Sequence, residues 1–322
     1  MEMKLLGRTG IKVSPFCFGT MSFGGDADEE TSGALYRAVR EAGINFLDCA
    51  NAYNGGQSEE ILGRLMAHER EDLVITTKVH GSMGPGPNDG GLSPRHISRA
   101  VEASLKRLGT DRVEVLFIHK WEDEPAMDVQ LRAIEDLVRA GKVLHVGVSN
   151  WAAWQVQKGL GLADLNGWQR IDVLQPMYNL VKRQAEVEIL PQAMDAGLGV
   201  ITYSPVGGGL LSGKYFSGSN DGRIVDNPMY AKRYSDPVQR ATAEAFSAFA
   251  QGAGVHAVTL AVAWVANNPA ISCPIIGARS LEQLQPSLDA MNFQMSPEMR
   301  AEISALGPSP APATDRLEET VG

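Results

Sequence analysis

Four polar residues with complementary proton chemistry stand in the first half of the chain, each at or just after the end of an apolar, β-prone run. They are Asp48, Tyr53, Lys78 and His119. A phenol, with an unperturbed pKa of about 10, is a poor acid at neutral pH unless a nearby cation stabilises the phenolate. Lys78 offers that cation, Asp48 can hold the ammonium, and His119 can orient a carbonyl oxygen. Together they could transfer a proton to or from a carbonyl oxygen.

Each of these residues alone also has an ordinary structural explanation. A strand-end Asp commonly caps a helix or turn, a Tyr commonly packs as an aromatic, and a single His is commonly a hydrogen-bonded structural residue. Lys78 is the least ordinary, since it ends the β-prone run Val74-Ile75-Thr76-Thr77 with no obvious path to water. The four act together only if the fold brings the ends of successive strands to one place.

The pattern of the chain predicts such a fold. Eight short apolar runs are predicted as strands, over residues 16–18, 45–48, 74–78, 113–119, 145–149, 172–175, 200–203 and 271–276. Between them, apolar residues recur at three- and four-residue spacing, and helices are predicted to begin after caps such as Ser93 and to end at glycines such as Gly109. Strand and helix alternating eight times is typical of a (β/α)8 TIM barrel, whose strand ends share one mouth.

Four segments fall outside this repeat. Residues 4–6 and 13–14 flank Arg8-Thr9-Gly10 and predict an N-terminal β-hairpin that closes the bottom of the barrel. Gly81–Gly91 and Gly207–Asp236 are rich in turn-forming residues and are predicted as loops at the catalytic mouth. The sequence thus predicts one domain over residues 1–307 and a poorly ordered tail over residues 308–322.

Composition excludes several classes of function. The 322 residues carry 29 Lys and Arg against 38 Asp and Glu, a net charge of −9, which argues against nucleic-acid binding. The first residues do not form a signal peptide, and the apolar run 255–266 is shorter than the roughly 18 residues of a membrane span. The three cysteines are scattered, and no metal-binding spacing occurs. A cytoplasmic chain with reduced thiols, no membrane partner and no metal is expected.

Motifs spread over residues 3–306 resemble the aldo-keto reductase family, in its bacterial, potassium-channel β-subunit-like branch. The run Gly43–Glu59 is similar to the family's first signature. The similarity continues in order through residues 75–78, the strand ending at His119, 141–150, 175–179, 203–205, 213–215 and 275–279. The resemblance implies the (β/α)8 barrel, in agreement with the strand count. It also implies reversible hydride transfer between a nicotinamide and an aldehyde or ketone.

The resemblance also implies the role of each site residue. Tyr53 would be the general acid/base, Lys78 paired with Asp48 would lower its pKa, and His119 would fix the substrate oxygen. The implied cofactor-binding residues are Gly19, Thr20, Met21, Asp48, Ser149, Asn150, Gln175, Tyr203, Ser204, Pro205, Val206, Gly207, Gly209, Lys214, Gly277, Arg279, Gln283 and Ser287. Among these, Ser149, Asn150 and Gln175 would hold the carboxamide, and Tyr203 would stack on the nicotinamide.

The charged residues of the last motifs bear on the choice of cofactor. A guanidinium binds a 2′-phosphate through paired hydrogen bonds, so Arg279, helped by Lys214, favours NADP(H). Pro286 and Ser287 stand where the family often has an acid and an Asn near the adenine. NAD(H) therefore remains possible as a second cofactor.

The substrate pocket is predicted to be apolar and aromatic. Phe23, Met83, Trp121 and Trp151 stand on predicted loops at the same mouth as Tyr53 and His119, with Met229 or Tyr230 as further candidates. Such a pocket favours a small-molecule carbonyl compound or alcohol that carries a ring.

Three other functions were weighed against a reductase. A non-catalytic NADP(H)-binding regulatory subunit would share the fold, but potassium-channel β subunits carry Asn at the place of His119, so His119 favours an enzyme. A Schiff-base enzyme would need Lys78 without a carboxylate partner, and Asp48 argues against it. The run 208–214 fits the P-loop pattern GxxxxGK, but Tyr215 replaces the Ser or Thr that binds Mg²⁺. No GxGxxG occurs, so a Rossmann domain is not predicted.

Overall fold

Eight parallel strands close into a barrel in the computed structural model, which describes residues 2–216, 218, 221–316 and 318. The barrel strands are β3 (Cys17–Gly19), β4 (Phe46–Asp48), β5 (Val74–Val79), β6 (Val113–Ile118), β7 (Val143–Ser149), β8 (Ile171–Gln175), β9 (Gly199–Thr202) and β10 (Cys273–Ile276). Their order around the barrel follows the chain, and β10 pairs with β3 to close it. The predicted (β/α)8 barrel is confirmed, with each predicted strand present.

Helices follow the strands and cover the barrel. They are α1 (Glu29–Glu41), α2 (Gln57–Met66), α3 (Pro94–Leu108), α4 (Met127–Arg139), α5 (Ala153–Asn166), α6 (Ile189–Ala196), α7 (Arg223–Asp226), α8 (Pro228–Arg233), α9 (Pro237–Gly252), α10 (Ala257–Ala266), α11 (Leu281–Asp289) and α12 (Pro297–Ser304). Ser93 caps α3 as predicted, since its side chain accepts a hydrogen bond from the backbone N–H of His96. Two layers of apolar contact result, one inside the barrel and one between strands and helices.

The predicted N-terminal hairpin closes the bottom of the barrel. Strands β1 (Lys4–Leu5) and β2 (Lys12–Val13) pair antiparallel, and Leu6 and Val13 are fully buried in the interior cluster. Gly7 has a φ of 57°, and a Cβ there would overlap the backbone nitrogen of Gly199 at the start of β9. The hairpin therefore lies directly against the strand ends at the bottom of the barrel.

The two predicted loops differ in structure. Gly81–Gly91 contains no helix or strand, as expected. Gly207–Asp236 was predicted as a loop and is in part helical, with 3-10 turns at Gly207–Ser212 and Lys214–Phe216 before α7 and α8. Pro228 at the start of α8, preceded by the capping side chain of Asn227, explains one of these helices. The loop was predicted from the Gly, Ser, Asn and Asp content of the segment, which does not distinguish a capping Asn from one in a turn.

Two further predictions concern the C-terminal tail and membrane-spanning helices. Residues 308–316 hold no helix or strand, and residues 317 and 319–322 lie outside the described residues, so the separate tail stays a prediction. Among the described helices, none is by itself long and apolar enough to cross a membrane. The pair α9 and α10 meets that criterion only jointly, with a bend of 106° between them.

Candidate active site

A cavity of about 830 Å³ opens at the carboxyl ends of the barrel strands. Its wall combines residues from the ends of β3, β4, β8 and β10 with the segment after β9 and with α11. This is the mouth at which barrel enzymes place their catalytic residues. In the described part of the chain, no three His, Cys, Asp or Glu side chains cluster so as to hold a metal ion.

Three of the four predicted proton-handling residues are directly bonded. Lys78 on β5 is fully buried, and its Nζ lies 2.6 Å from Oδ2 of Asp48 at the end of β4. The same Nζ donates to the hydroxyl of Tyr53 at 3.2 Å and to the carbonyl oxygen of Cys49 at 2.8 Å. All three hydrogens of the ammonium are therefore engaged, which fixes its position next to the phenol.

The Asp48 carboxylate is held from its other side by two groups. Its Oδ1 accepts from the Thr76 hydroxyl at 2.7 Å and from the Gln175 side-chain amide at 2.9 Å. Sequence reasoning missed Thr76. The available signal was its position two residues before Lys78 in the same strand, which places both side chains on one face. These bonds fix the orientation of the buried carboxylate opposite Lys78.

Tyr53 is positioned by an irregular turn just after β4. It begins the 3-10 turn Tyr53–Gly56, in which Asn54 has a left-handed φ of 49°. Asn tolerates that conformation because its side chain can bond locally. Here the Asn54 amide donates to the carbonyl oxygens of Met21 and Phe23 at 2.9 and 2.8 Å. The turn that carries the phenol is therefore tied to the segment after β3.

The charge of Lys78 acts on Tyr53 in the predicted direction, against a larger effect of burial. Burial raises the pKa of Tyr53 to about 12, and the nearby Lys78 ammonium lowers it and so partly opposes that rise. Burial alone would lower the pKa of Lys78, but Asp48 and the hydrogen bonds raise it well above its ordinary value. At neutral pH the phenol is protonated and the amine is charged.

His119 lies beside the phenol and carries no charge at neutral pH. Its ring centroid lies 6.0 Å from that of Tyr53, edge to face. Burial, and then the charge of Lys78, lower the pKa of His119 to about 3. Its backbone is fixed on both sides, by a hydrogen bond from its N–H to Val79 and by one from Asn150 to its carbonyl oxygen. The neutral imidazole can therefore donate a hydrogen bond into the cavity.

The predicted carboxamide-binding residues form one connected hydrogen-bond network. Asn150, at a left-handed φ of 59°, donates to Ser149 Oγ at 3.0 Å and accepts from the Tyr203 hydroxyl at 2.6 Å. Ser149 Oγ donates to the backbone oxygen of Gln175 at 2.9 Å. The network joins the ends of β7, β8 and β9. It therefore fixes the position of the Tyr203 ring relative to Gln175.

The far half of the cavity is rich in cations. Lys214, Arg223, Arg233 and Arg279 all line it. Among the described residues, no carboxylate lies within ion-pair distance of the Arg279 guanidinium, whereas Arg223 lies 3.9 Å from Asp26. Sequence reasoning missed Arg223 and Arg233. Both lie in the predicted loop Gly207–Asp236, and two Arg residues in a loop at the catalytic mouth were the available signal. The cavity can therefore hold a polyanion although the chain is acidic overall.

Most of the predicted cofactor residues line this cavity. They are Gly19, Met21, Asp48, Ser149, Asn150, Gln175, Tyr203, Ser204, Pro205, Val206, Gly209, Lys214, Gly277, Arg279, Gln283 and Ser287. Thr20 and Gly207 are buried behind the wall instead. The Thr20 hydroxyl donates to the backbone oxygen of Asp48 at 3.1 Å, so its contact is with the protein itself.

The predicted substrate contacts are only partly brought to the cavity. Tyr53, His119, Met229 and Tyr230 line it, whereas Met83, Trp121 and Trp151 do not. Phe23 is fully buried and packs on Phe18 with ring centroids 5.9 Å apart. The prediction that Phe23 contacts substrate is therefore wrong, because the segment after β3 turns its ring into the core.

An aromatic cluster stands beside the cavity instead. Trp121 packs edge to face on Trp151 at 5.0 Å and on Trp154 at 5.8 Å between ring centroids. Trp154, which the sequence reasoning missed, is 61% exposed. Its signal was a second Trp three positions after Trp151, at the start of α5. The three rings, defined here as the Trp cluster, follow His119 and Asn150 closely in the chain.

Comparisons with known proteins agree with this geometry. Residues 15–308 match the aldo/keto reductase family. The chain is 37% identical, over 98% of both sequences, to a protein of Bacillus subtilis (strain 168) named uncharacterized oxidoreductase YrpG. It is 35% identical to a probable voltage-gated potassium channel subunit beta of Arabidopsis thaliana, over 91% of this chain and 92% of the relative. It is 32% identical to the norsolorinic acid reductase of Aspergillus flavus, over 94% and 80%. The resemblance stated from the motifs is thereby confirmed, and the chain belongs to the aldo/keto reductase family of oxidoreductases.

Proposed function

We propose that this chain is an NADP(H)-dependent reductase that interconverts an aldehyde or ketone and the corresponding alcohol, with Tyr53 as general acid/base. The observation that carries the proposal is the buried contact of 3.2 Å between the Lys78 ammonium and the Tyr53 hydroxyl. That contact lies at the wall of a cavity of about 830 Å³. A nicotinamide cofactor, when bound, supplies or accepts the hydride. The remaining steps are carried out by side chains of the protein.

Tyr53 moves the proton. In reduction its hydroxyl gives the proton to the substrate oxygen as that oxygen gains negative charge, so an alcohol forms and a phenolate remains. The adjacent Lys78 ammonium stabilises this phenolate, and Asp48, at 2.6 Å, keeps the amine charged. In oxidation the phenolate takes the proton back from the alcohol. Preorganised charge of this kind acts most strongly in a site from which water is excluded.

His119 positions the substrate oxygen. Because its pKa is lowered to about 3, the imidazole stays neutral at physiological pH and offers an N–H donor without adding a second positive charge. Its edge-to-face contact with Tyr53, at 6.0 Å between centroids, places both rings side by side in the wall of the same cavity. The carbonyl oxygen would accept from both.

The residues of the cavity fit a nicotinamide dinucleotide phosphate. The side-chain NH2 of Gln175 donates a hydrogen bond to Asp48. The side-chain oxygen of Gln175 can therefore accept a hydrogen bond from a carboxamide. At the other end, the guanidinium of Arg279 has no carboxylate partner among the described residues and can bind a phosphate in a bidentate way. An amide-binding end and a phosphate-binding end in one cleft support NADP(H) over a smaller cofactor.

A regulatory subunit that binds NADP(H) without turnover is the second candidate. It is favoured by the relatives named potassium channel β subunits, one of which is 35% identical. His119 beside a protonated Tyr53 favours catalysis, because a protein that only binds the cofactor has no need of a second donor at the substrate position.

The direct test is a turnover assay of the purified chain. Oxidation of NADPH and of NADH is followed across a panel of aromatic, alicyclic and short aliphatic aldehydes and ketones. We expect turnover with NADPH, and a loss of about 10²- to 10⁴-fold in Tyr53→Phe, the range typical of a removed general acid. NADPH binding should persist in that variant. If Tyr53→Phe turned over substrate at the wild-type rate, Tyr53 would not be the general acid. Binding of NADPH without turnover on any substrate would favour the regulatory subunit.

A further inference from the structure

The outward face of α5 carries the most exposed apolar side chains of the described residues. Leu165 is 81% exposed and Trp154 is 61% exposed, the two highest values among their large apolar side chains. The two residues are eleven positions apart, about three turns, and therefore stand on the same side of the helix. Lys158 and Gly161, both exposed, stand between them on that side. We call these four residues the α5 stripe.

The glycine in the α5 stripe is not explained by any contact within the chain. Glycine inside a helix is destabilising relative to alanine, so it needs a reason. At Gly159 the reason is a close contact, because a Cβ there would lie 2.7 Å from Cδ1 of Ile171. At Gly161 a Cβ would meet no atom within 4 Å. Open space on an exposed helix face allows another molecule to approach the backbone closely.

The two charged residues of α5 are available to another molecule. Lys158 and Asp164 are exposed, and in the described part of the chain neither has an oppositely charged group within ion-pair distance. They cannot pair with each other, because only side chains three or four positions apart meet on a helix. On α4, by contrast, Arg132 bonds Asp136 four positions later at 2.8 Å.

We propose that the α5 stripe is the contact between two copies of this chain, which are related by a two-fold axis with their α5 helices antiparallel. A two-fold contact must be complementary to itself. In this arrangement Trp154 packs on Leu165 of the partner subunit, and the same pair forms a second time across the axis. Because the two inner positions of the stripe share the midpoint of the two outer ones, Lys158 then lies opposite Gly161 of the partner subunit.

The direction of the side chains supports this pairing. The Cα–Cβ bonds of a helix lean toward its N-terminus. In the antiparallel pair, Lys158 and Asp164 of the partner subunit therefore lean toward each other, and the open space at Gly161 admits the lysine stem. Trp154 loses little freedom on association, because its ring already packs on Trp121 with centroids 5.8 Å apart. Apolar, steric and charge complementarity thus all favour a second copy as the occupant.

The contact leaves the catalytic cavity complete in each copy. None of the four residues of the α5 stripe lines that cavity, and Asp48, Tyr53 and Lys78 all come from one chain. Turnover per chain is therefore expected to be the same in the monomer and in the dimer. The inference is independent of the proposed function, and its test needs no substrate.

The test measures the mass of the full chain in solution. Sedimentation equilibrium is recorded from about 1 to 200 μM, a range suited to a contact smaller than the standard interface. We expect a monomer–dimer equilibrium. Leu165→Lys should raise the dimer Kd by more than about tenfold, because a two-fold contact loses the side chain twice. Leu5→Lys is the matched control, since Leu5 is 58% exposed on β1, and it should leave Kd unchanged.

Gly161→Gln separates a lost contact from a damaged fold. The new side chain fills the space between the helices, so the dimer Kd should rise by more than about tenfold. The same variant should raise Tm of the monomer, because glutamine is a better helix former and a Cβ at this position meets no atom within 4 Å. Misfolding would lower Tm instead.

A charge exchange tests the register of the two helices. Lys158→Glu and Asp164→Lys should each raise the dimer Kd by about three- to tenfold, the value of two exposed ion pairs. The double variant should restore the wild-type Kd, since these side chains do not meet within one chain. A wild type that stays monomeric at about 200 μM, which sets Kd above that of any specific dimer proposed here, would overturn the inference. So would a dimer that Leu165→Lys leaves intact, or a double variant no tighter than the single ones.

Discussion

The side-chain amide of Gln175 donates a hydrogen bond of 2.9 Å to the Asp48 carboxylate across the mouth of the barrel. Strands β8 and β4, which carry these residues, stand opposite each other in the ring of eight. The bond therefore connects the hydrogen-bond network that includes Gln175 on one side to the bonded group of Asp48, Lys78 and Tyr53 on the other. In the proposed mechanism, cofactor binding and proton transfer share this one carboxylate.

This connection predicts a coupled effect of Gln175→Leu. The variant loses a bond to the Asp48 carboxylate and a contact to the cofactor, so kcat should fall and Kd for NADPH should rise, each by about tenfold, the lower range for a hydrogen bond to a charged group. Thr76→Val is the matched control, because it removes the other bond to the same oxygen, 2.7 Å long, and Thr76 does not line the cavity. It should lower kcat with little change in Kd. Equal changes in Kd for the two variants would contradict the coupling.

The pKa values of Tyr53 and His119 predict how activity depends on pH. Reduction requires the protonated phenol, and a pKa raised to about 12 keeps it protonated, so kcat/KM for reduction should be flat from about pH 5 to 10. Oxidation requires the phenolate, whose fraction increases tenfold per pH unit below that pKa, so oxidation should rise steadily over the same range. His119, with a pKa lowered to about 3, should add no titration near pH 6 to 7. Initial rates in both directions across pH test this. An acid limb near pH 6.5 that disappears in His119→Asn would contradict the neutral imidazole.

The barrel and its proton-handling residues were predictable from the sequence for a physical reason. Buried parallel strands are short continuous apolar runs, and the helices between them keep a separate period, so the eight units can be counted. Once the strands are placed, Asp48 and Lys78 must meet, since strand ends are neighbours around one mouth. The apolar pattern of each strand and the order of the strands around the barrel together determine the contact between Asp48 and Lys78.

Other features depend on how a loop runs in three dimensions, and sequence pattern does not specify this. Phe23 turns into the core because the segment after β3 folds back on itself, with Phe23 and Ala27 forming an isolated bridge. The raised pKa of Tyr53 follows from the depth of burial, which only the assembled walls define.

Arg279 predicts cofactor preference. Arg279→Ala should raise KM for NADPH by about ten- to a hundredfold, the range for a lost charge-assisted contact to a phosphate, with a much smaller change for NADH. Arg233→Ala is the comparison, since Arg233 lines the same cavity and both cofactors carry the pyrophosphate. It should weaken the two cofactors alike. Parallel loss of NADPH and NADH in Arg279→Ala would refute the assignment of the 2′-phosphate to this guanidinium.

The Trp cluster predicts selectivity for ring-bearing substrates. Trp121 stands two residues after His119 and packs on both Trp151 and Trp154, so its ring is rigid and can offer a face or edge to an aromatic substrate. Trp121→Ala should raise KM for aromatic aldehydes by about two- to tenfold, the value of one aromatic pair, and leave short aliphatic aldehydes nearly unchanged. Leu165→Ala on the same helix as Trp154 is the control, because Leu165 is 81% exposed near the other end of α5. A change of the same size for aromatic and aliphatic aldehydes would mean that the cluster only supports the loop, since a stacking surface must distinguish a substrate with a ring from one without.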